Sequence, residues 1–145
     1  MMPLLGLLTL LAAAAFGGAA IYISLVEQPA RLQLDDRALL EQWKPSYRRG
    51  FAIQASLALI GGLLGLITAV ISGHWVWLAP GLLMLANWPF TLIAIMPTNR
   101  RLMAMTPQQA GPESRRLIER WGRLHAVRST LGWLAALAAI ASLSV

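Results

Sequence analysis

The sequence predicts an all-α fold, a four-helix transmembrane bundle, and three observations lead to it. Hydrophobic residues make up 57% of the 145 positions, and they are bunched rather than spread. Three runs carry no charged residue at all: Met1 to Val26, Phe51 to Asn99 and Ser129 to Val145. Runs of about 18 residues or more read as membrane spans, and the second run is long enough for two. A soluble helix would need charges along its outer face, which these runs lack. The chain therefore reads as one integral membrane domain over residues 1–145, with spans at about 3–26, 51–71, 75–96 and 125–144.

The first run lacks the basic start of a signal peptide, and Ile21 to Val26 continues it past the small residues Gly17-Gly18-Ala19-Ala20. It is expected to remain as span one. Ala12 to Ala15 and Gly17-Gly18 give it a face suited to close packing in lipid. Pro29 is expected to break or kink it. Glu27 and Arg31, four residues apart, can pair if the helix continues.

Asp35-Asp36 followed by Arg37 to Trp43 reads as a short interfacial helix between spans one and two, acidic at its start. Trp43 and Tyr47 fit either an aromatic belt or one wall of a pocket. Span two holds one strongly polar side chain, Gln54, and a close-packing surface of Gly61, Gly62 and Gly65. Span three opens with Trp75 and Trp77 as interfacial anchors. Pro89 frees the carbonyl of Leu85, where Asn87 can help, and Pro97 is expected to stop the helix, leaving Thr98 or Asn99 to cap the next segment. Gly111-Pro112-Glu113 is a helix start. From it a helix runs to about Ser144, longer than a bilayer needs, so its first turns extend beyond the membrane. Glu119 can pair there with Arg115, Arg116 or Arg123.

A net charge of +6 suggests nucleic acid in a soluble protein, but here it reports topology. The 12 basic residues fall into two blocks, Arg31 to Arg49 and Arg100 to Arg128, each joining an odd span to an even one. The positive-inside rule puts both blocks in the cytoplasm and both termini outside. We expect a multi-pass protein of a bacterial inner membrane, surrounded by lipid, with no nucleic-acid partner; a homo-oligomer is compatible with it. The chain has no cysteine, which excludes disulfides and thiol redox catalysis.

Polar heads from every span gather on the cytoplasmic side. At about 100° per residue, Trp121, His125 and Arg128 share one face, and Gly132 continues the stripe as an open notch. Glu27, Asn99, Gln54, Asn87, Trp88, Trp43 and Tyr47 belong to the same level. Ionisable residues inside a span are costly and are functional candidates by default. For His125 a structural hydrogen bond competes with proton transfer, and Arg128 is long enough to snorkel. A metal site is not expected: His74 and His125 lie a bilayer apart, about 30 Å, leaving too few ligands. Haem on His125 stands as an alternative, and a small transporter or assembly subunit as the non-enzymatic one.

Glu27-Gln28-Pro29-Ala30-Arg31, Trp43 with Tyr47 and Gly50, Asn87-Trp88-Pro89-Phe90-Thr91, Ile95-Met96-Pro97-Thr98-Asn99-Arg100-Arg101-Leu102 and Trp121-Gly122-Arg123-Leu124-His125-Ala126-Val127-Arg128 resemble the anthrone oxygenase-like family. Its members are small four-span membrane proteins, mostly uncharacterised bacterial ones, and its fungal members oxidise anthrones to anthraquinones in polyketide pathways. The resemblance implies an oxidoreductase that uses dioxygen on a flat, apolar small-molecule substrate, with no cofactor expected. Under that implication Trp43, Tyr47, Trp88 and Trp121 wall the substrate, alongside Gln54 and Asn87. His125, or else Glu27, removes a proton, and Arg128 and Asn99 stabilise the resulting enolate oxygen.

Overall fold

Apolar stretches of this length satisfy their own backbone in lipid only as helices. The computed structural model of the protein describes Met2 to Ser144, with side chains from Leu4 onward. Among the described residues there is no strand. Four helices are long and apolar enough to cross a membrane: α1 (Leu4–Arg31), α2 (Asp36–Ser72), α3 (Trp75–Ala104) and α4 (Pro112–Ser142). They form a square bundle in which α1 packs on α2 and α4, α3 packs on α2 and α4, and the diagonal pair α2 and α4 meets through long side chains at the basic end. Side chains too small to separate the backbones make the closest contacts. Gly65 on α2 lies so near Gly81 on α3 that an added Cβ would stand 2.7 Å from its Cα.

The short interfacial helix does not exist as a separate element. Residues 36–43 and span two form one 37-residue helix, α2, that runs through Pro45. Its N-terminus is set by Asp35, whose side chain accepts hydrogen bonds from the backbone N–H groups of Arg37 and Ala38, both at 3.0 Å. Pro45 and Glu41, the residue whose carbonyl the proline leaves free, both face outward, where solvent can replace the missing bond. The start of α2 does not lie flat at an interface. Leu39, Leu40 and Trp43 are buried with Ile95, Leu102, Ile118 and Trp121 in a core of their own at the basic end of the bundle.

Pro29 and Pro97 do not end their helices either. A π turn precedes each, at Ile23–Glu27 and Thr91–Ile95, and the chain stays helical to Arg31 and Ala104. The carbonyl four residues before each proline belongs to Leu25 or Ile93, the middle residue of its π turn. Widening the turn there removes the clash with the proline ring. Thr98 and Asn99 are consequently buried helix residues rather than caps. Lys44 caps α3 instead, donating from Nζ to the carbonyls of Met103 and Met105.

Three smaller expectations also change. Trp77 is buried against Gly6 and the Ala69–Ala139 contact, so only Trp75 is an exposed anchor. Arg115 pairs with Asp36 at 2.5 Å and donates to the carbonyls of Leu32 and Leu34, tying down the α1–α2 link, whereas Glu119 forms no ion pair among the described residues. Asn87 donates to the carbonyls of Leu83 and Met84, not to that of Leu85.

Candidate functional site

The site lies where the two π turns face α2 and α4. Trp121, His125 and Arg128 share the inward face of α4, as their spacing requires, and all three are buried. The notch at Gly132 is closed, because Phe16 fills it so tightly that an added Cβ would lie 2.5 Å from its ring. An aromatic ladder supports the face from the basic end. Tyr47 stacks on Trp43 at 4.8 Å, Trp43 meets Trp121 edge-on at 5.7 Å, and Trp121 lies over the His125 ring at 4.9 Å.

The two nitrogens of His125 face in different directions. Nδ1 lies 3.2 Å from the hydroxyl of Ser24 in the first π turn, and Nε2 lies 3.4 Å from Oε1 of Gln54 on α2. Nε2, Gln54, Asn99, Arg128 and Tyr47 surround an enclosed cavity of about 20 Å³, closed further by Ile23, Ser46, Gly50, Phe51, Ile95 and Trp121. That is room for about one water molecule.

The walls of this cavity carry unspent hydrogen-bonding capacity. Nε2 of Gln54, both side-chain atoms of Asn99 and Nε of Arg128 are buried without a protein partner. Arg128 is 6% exposed and does not snorkel. Its guanidinium sits 5.4 Å from the Phe16 ring and forms no ion pair among the described residues. A buried charge is retained at a cost of several kcal/mol unless something offsets it. The imidazole can accept a proton, and the three N–H donors among these atoms can hold an oxygen that gains negative charge.

The other sequence candidates sit nearby. Glu27 is engaged by Arg31, Ser46 and Gln42 and lines an open groove between α1 and α2 rather than the enclosed cavity. Asn87 and Trp88 line a smaller void with Thr91 that shares Phe51 and Arg128 with the cavity. Trp88 donates to the carbonyl of Ala55 at 3.3 Å. Trp43 is wholly buried and does not line the cavity, whereas Tyr47 and Trp121 do. Sequence reasoning missed Ser24, Ser129 and Ile23, and it named Gly50 only within the family pattern, with no role in the site. The hydroxyl of Ser24, one of few polar groups in its charge-free run, is the available signal. Among the described residues no three His, Cys, Asp or Glu side chains come together as a metal site would require.

Comparison with known proteins gives this geometry a context. No solved structure matches the chain. An anthrone oxygenase of Claviceps purpurea (strain 20.1) is 30% identical over 128 residues, covering 79% of this chain and 74% of that protein. The family model described as anthrone oxygenase matches residues 43–138, from the aromatic ladder through all of the cavity's α2, α3 and α4 side chains. On that match the chain belongs to the anthrone oxygenase family.

Proposed function

We propose that the protein is a membrane-embedded oxygenase that converts an activated methylene of a flat, polycyclic phenolic ketone of the anthrone type into a carbonyl. The observation that carries this reading is the convergence of His125, Arg128, Gln54 and Asn99 from three helices on one buried cavity. Nε2 of His125 takes a proton from the methylene, and the negative charge spreads onto the substrate oxygen beside Arg128 and Asn99. The carbanion passes electrons to dioxygen, and the two combine as a carbon-bound peroxide, which takes the proton back from His125. Removal of the second methylene proton expels hydroxide, which the same proton turns into water. Overall, the CH2 group and dioxygen give a ketone and one water. This route calls on no group beyond these residues and dioxygen. Haem on His125 would need space at Nε2, where only about 20 Å³ is open.

The basic ends of the helices face the cytoplasm of a bacterial inner membrane in this reading, with both termini outside. His125 lies about 26 Å along α4 from Ser142 at 1.5 Å per residue, so the cavity falls at the inner edge of a hydrocarbon layer about 30 Å thick. An apolar substrate reaches that depth from the lipid.

Oxygen uptake with an anthrone tests the proposal. Purified His125→Gln protein that keeps the parent's melting temperature should lose at least about 100-fold in turnover, the lower end of what general-base catalysis contributes. Undiminished turnover in that variant would remove His125 as the base, and no turnover by the parent would favour a non-enzymatic membrane subunit.

A further inference from the structure

A cavity of about 20 Å³ cannot hold a polycyclic molecule, yet an open groove of about 530 Å³ lies against it. The groove runs between α1 and α2 and shares Ile23, Ser46, Gly50 and Gln54 with the cavity. Its volume falls within the roughly 300–1,000 Å³ of small-molecule sites. Apolar Tyr22, Ile23 and Ile53 line it toward mid-bundle, while Glu27 and Arg49 stand at the basic end. Gly50 is the telling residue of the partition. A glycine inside a helix costs stability and usually reflects close packing. Here an added Cβ would meet only Cδ1 of Ile23, at an ordinary 3.7 Å, so packing does not demand glycine. What its missing side chain leaves is a gap facing Ile23, between groove and cavity.

We propose that this groove is the docking site for the substrate, a flat fused-ring ketone with phenolic edges, and that Gly50 and Ile23 form the aperture through which its reactive edge meets His125. The ring body lies on Ile53 and Tyr22, and the polar edge points to Gln54, which lines both the groove and the cavity. The inference rests on the oxygenase reading for its choice of ligand. Its test uses binding, which does not depend on turnover.

The experiment is equilibrium dialysis of the purified protein against a radiolabelled hydroxylated anthraquinone. Gly50→Leu should weaken binding by about tenfold or more, as an overfilled pocket does. Ile53→Trp, at a position 59% exposed and therefore safe for folding, should do the same from the far wall. Parent-like binding in both variants, or none by the parent, overturns the docking site. Binding that depends on Gly50 in a protein that oxidises no anthrone would keep the groove and remove the oxygenase reading.

A separate set of contacts bears on the tautomer of His125. The hydroxyl of Ser129 lies 3.4 Å from the backbone carbonyl of His125, a group that can only accept from it. Oγ of Ser129 then accepts from Ser24, 3.0 Å away, and Oγ of Ser24 accepts from Nδ1 of His125. We infer that Ser24 and Ser129 are positioning residues that hold the neutral ring as its Nδ1–H tautomer, with Nε2 left as the hydrogen-bond acceptor. Turning the Gln54 amide over brings its unpartnered NH2 group onto that nitrogen. The reverse polarity would leave both this group and the Ser129–carbonyl contact unused.

Nitrogen NMR of 15N-histidine protein at alkaline pH reads the tautomer directly, with His74→Gln leaving a single ring. The parent should show Nδ1–H. Ser24→Ala should move the ring toward Nε2–H with a fall of about tenfold or more in kcat/KM, and Ser24→Thr should restore both. An Nε2–H parent, or Ser24→Ala with the parent's spectrum, overturns the assignment.

Discussion

Arg128 shows why function and stability can be separated at a single residue. It is buried, it has no carboxylate partner among the described residues, and its Nε makes no hydrogen bond. A structural arginine loses stability when truncated, but a buried unpaired charge is a liability that apolar packing relieves. Arg128→Met should therefore melt no lower than the parent, and higher if the cavity repacks, while kcat/KM falls roughly 100- to 1,000-fold through loss of oxyanion stabilisation. Arg128→Lys should keep part of the activity. Thermal unfolding and oxygen uptake on the same preparations check both halves, and a large drop in melting temperature for the methionine variant would make Arg128 a packing residue. The Trp121–His125–Arg128 face is legible in the sequence because α4 is a regular helix and its 3.6-residue period holds throughout. Ser24 and Gly50 are not. A π turn inserts a residue into the spacing of α1, so its periodicity does not say which side chain faces α4. Gly50 stands in the family pattern beside Trp43 and Tyr47, but it acts by what it lacks, and the pattern does not say what that space is for.

At the scale of elements, the four helices are legible in the sequence and their ends are not. Charge-free runs report the lipid-embedded part of a helix, and α2 and α3 continue as amphipathic helices beyond it. Pro29 and Pro97 look like stops, yet a π turn lets a helix absorb proline, and nothing local in the sequence distinguishes the two outcomes. Gly61, Gly62 and Gly65 of α2 are packing residues, as their clustering suggests, but the other glycines are not uniformly so. Gly65 meets the backbone of Gly81, which cannot move aside, whereas Gly18 has nothing within 4 Å of an added Cβ. Gly65→Val should cost about 1–3 kcal/mol through overpacking. Gly18→Ala should be neutral or gain up to about 1 kcal/mol through helix propensity. Unfolding of the detergent-solubilised protein measures both, and equal effects would mean that the α2–α3 contact is looser than the structure has it.

At the scale of the whole molecule, α1–α2 and α3–α4 are two hairpins built alike. In each, the first helix passes through a π turn to a proline at the basic end, and the second presents a tryptophan followed four residues later by a ring facing the centre, Tyr47 in one and His125 in the other. Side by side, they bring the two tryptophans into edge contact and leave the polar groups at one level of the bundle. That one-sidedness makes orientation consequential, since an inverted bundle would put the cavity and all 12 basic residues at the outer surface. The absence of cysteine allows a clean test. Single cysteines placed as His74→Cys, in the turn between α2 and α3, and Gln109→Cys, in the link before α4, lie at opposite ends of the bundle. In intact cells a membrane-impermeant maleimide should label the first and spare the second until the membrane is opened. The positive-inside rule requires that order because Arg100, Arg101, Arg115 and Arg116 flank the second site, while no Lys or Arg lies near the first. The reverse order would place the groove and its substrate on the outer face, and the protein would then draw its substrate from outside the cell.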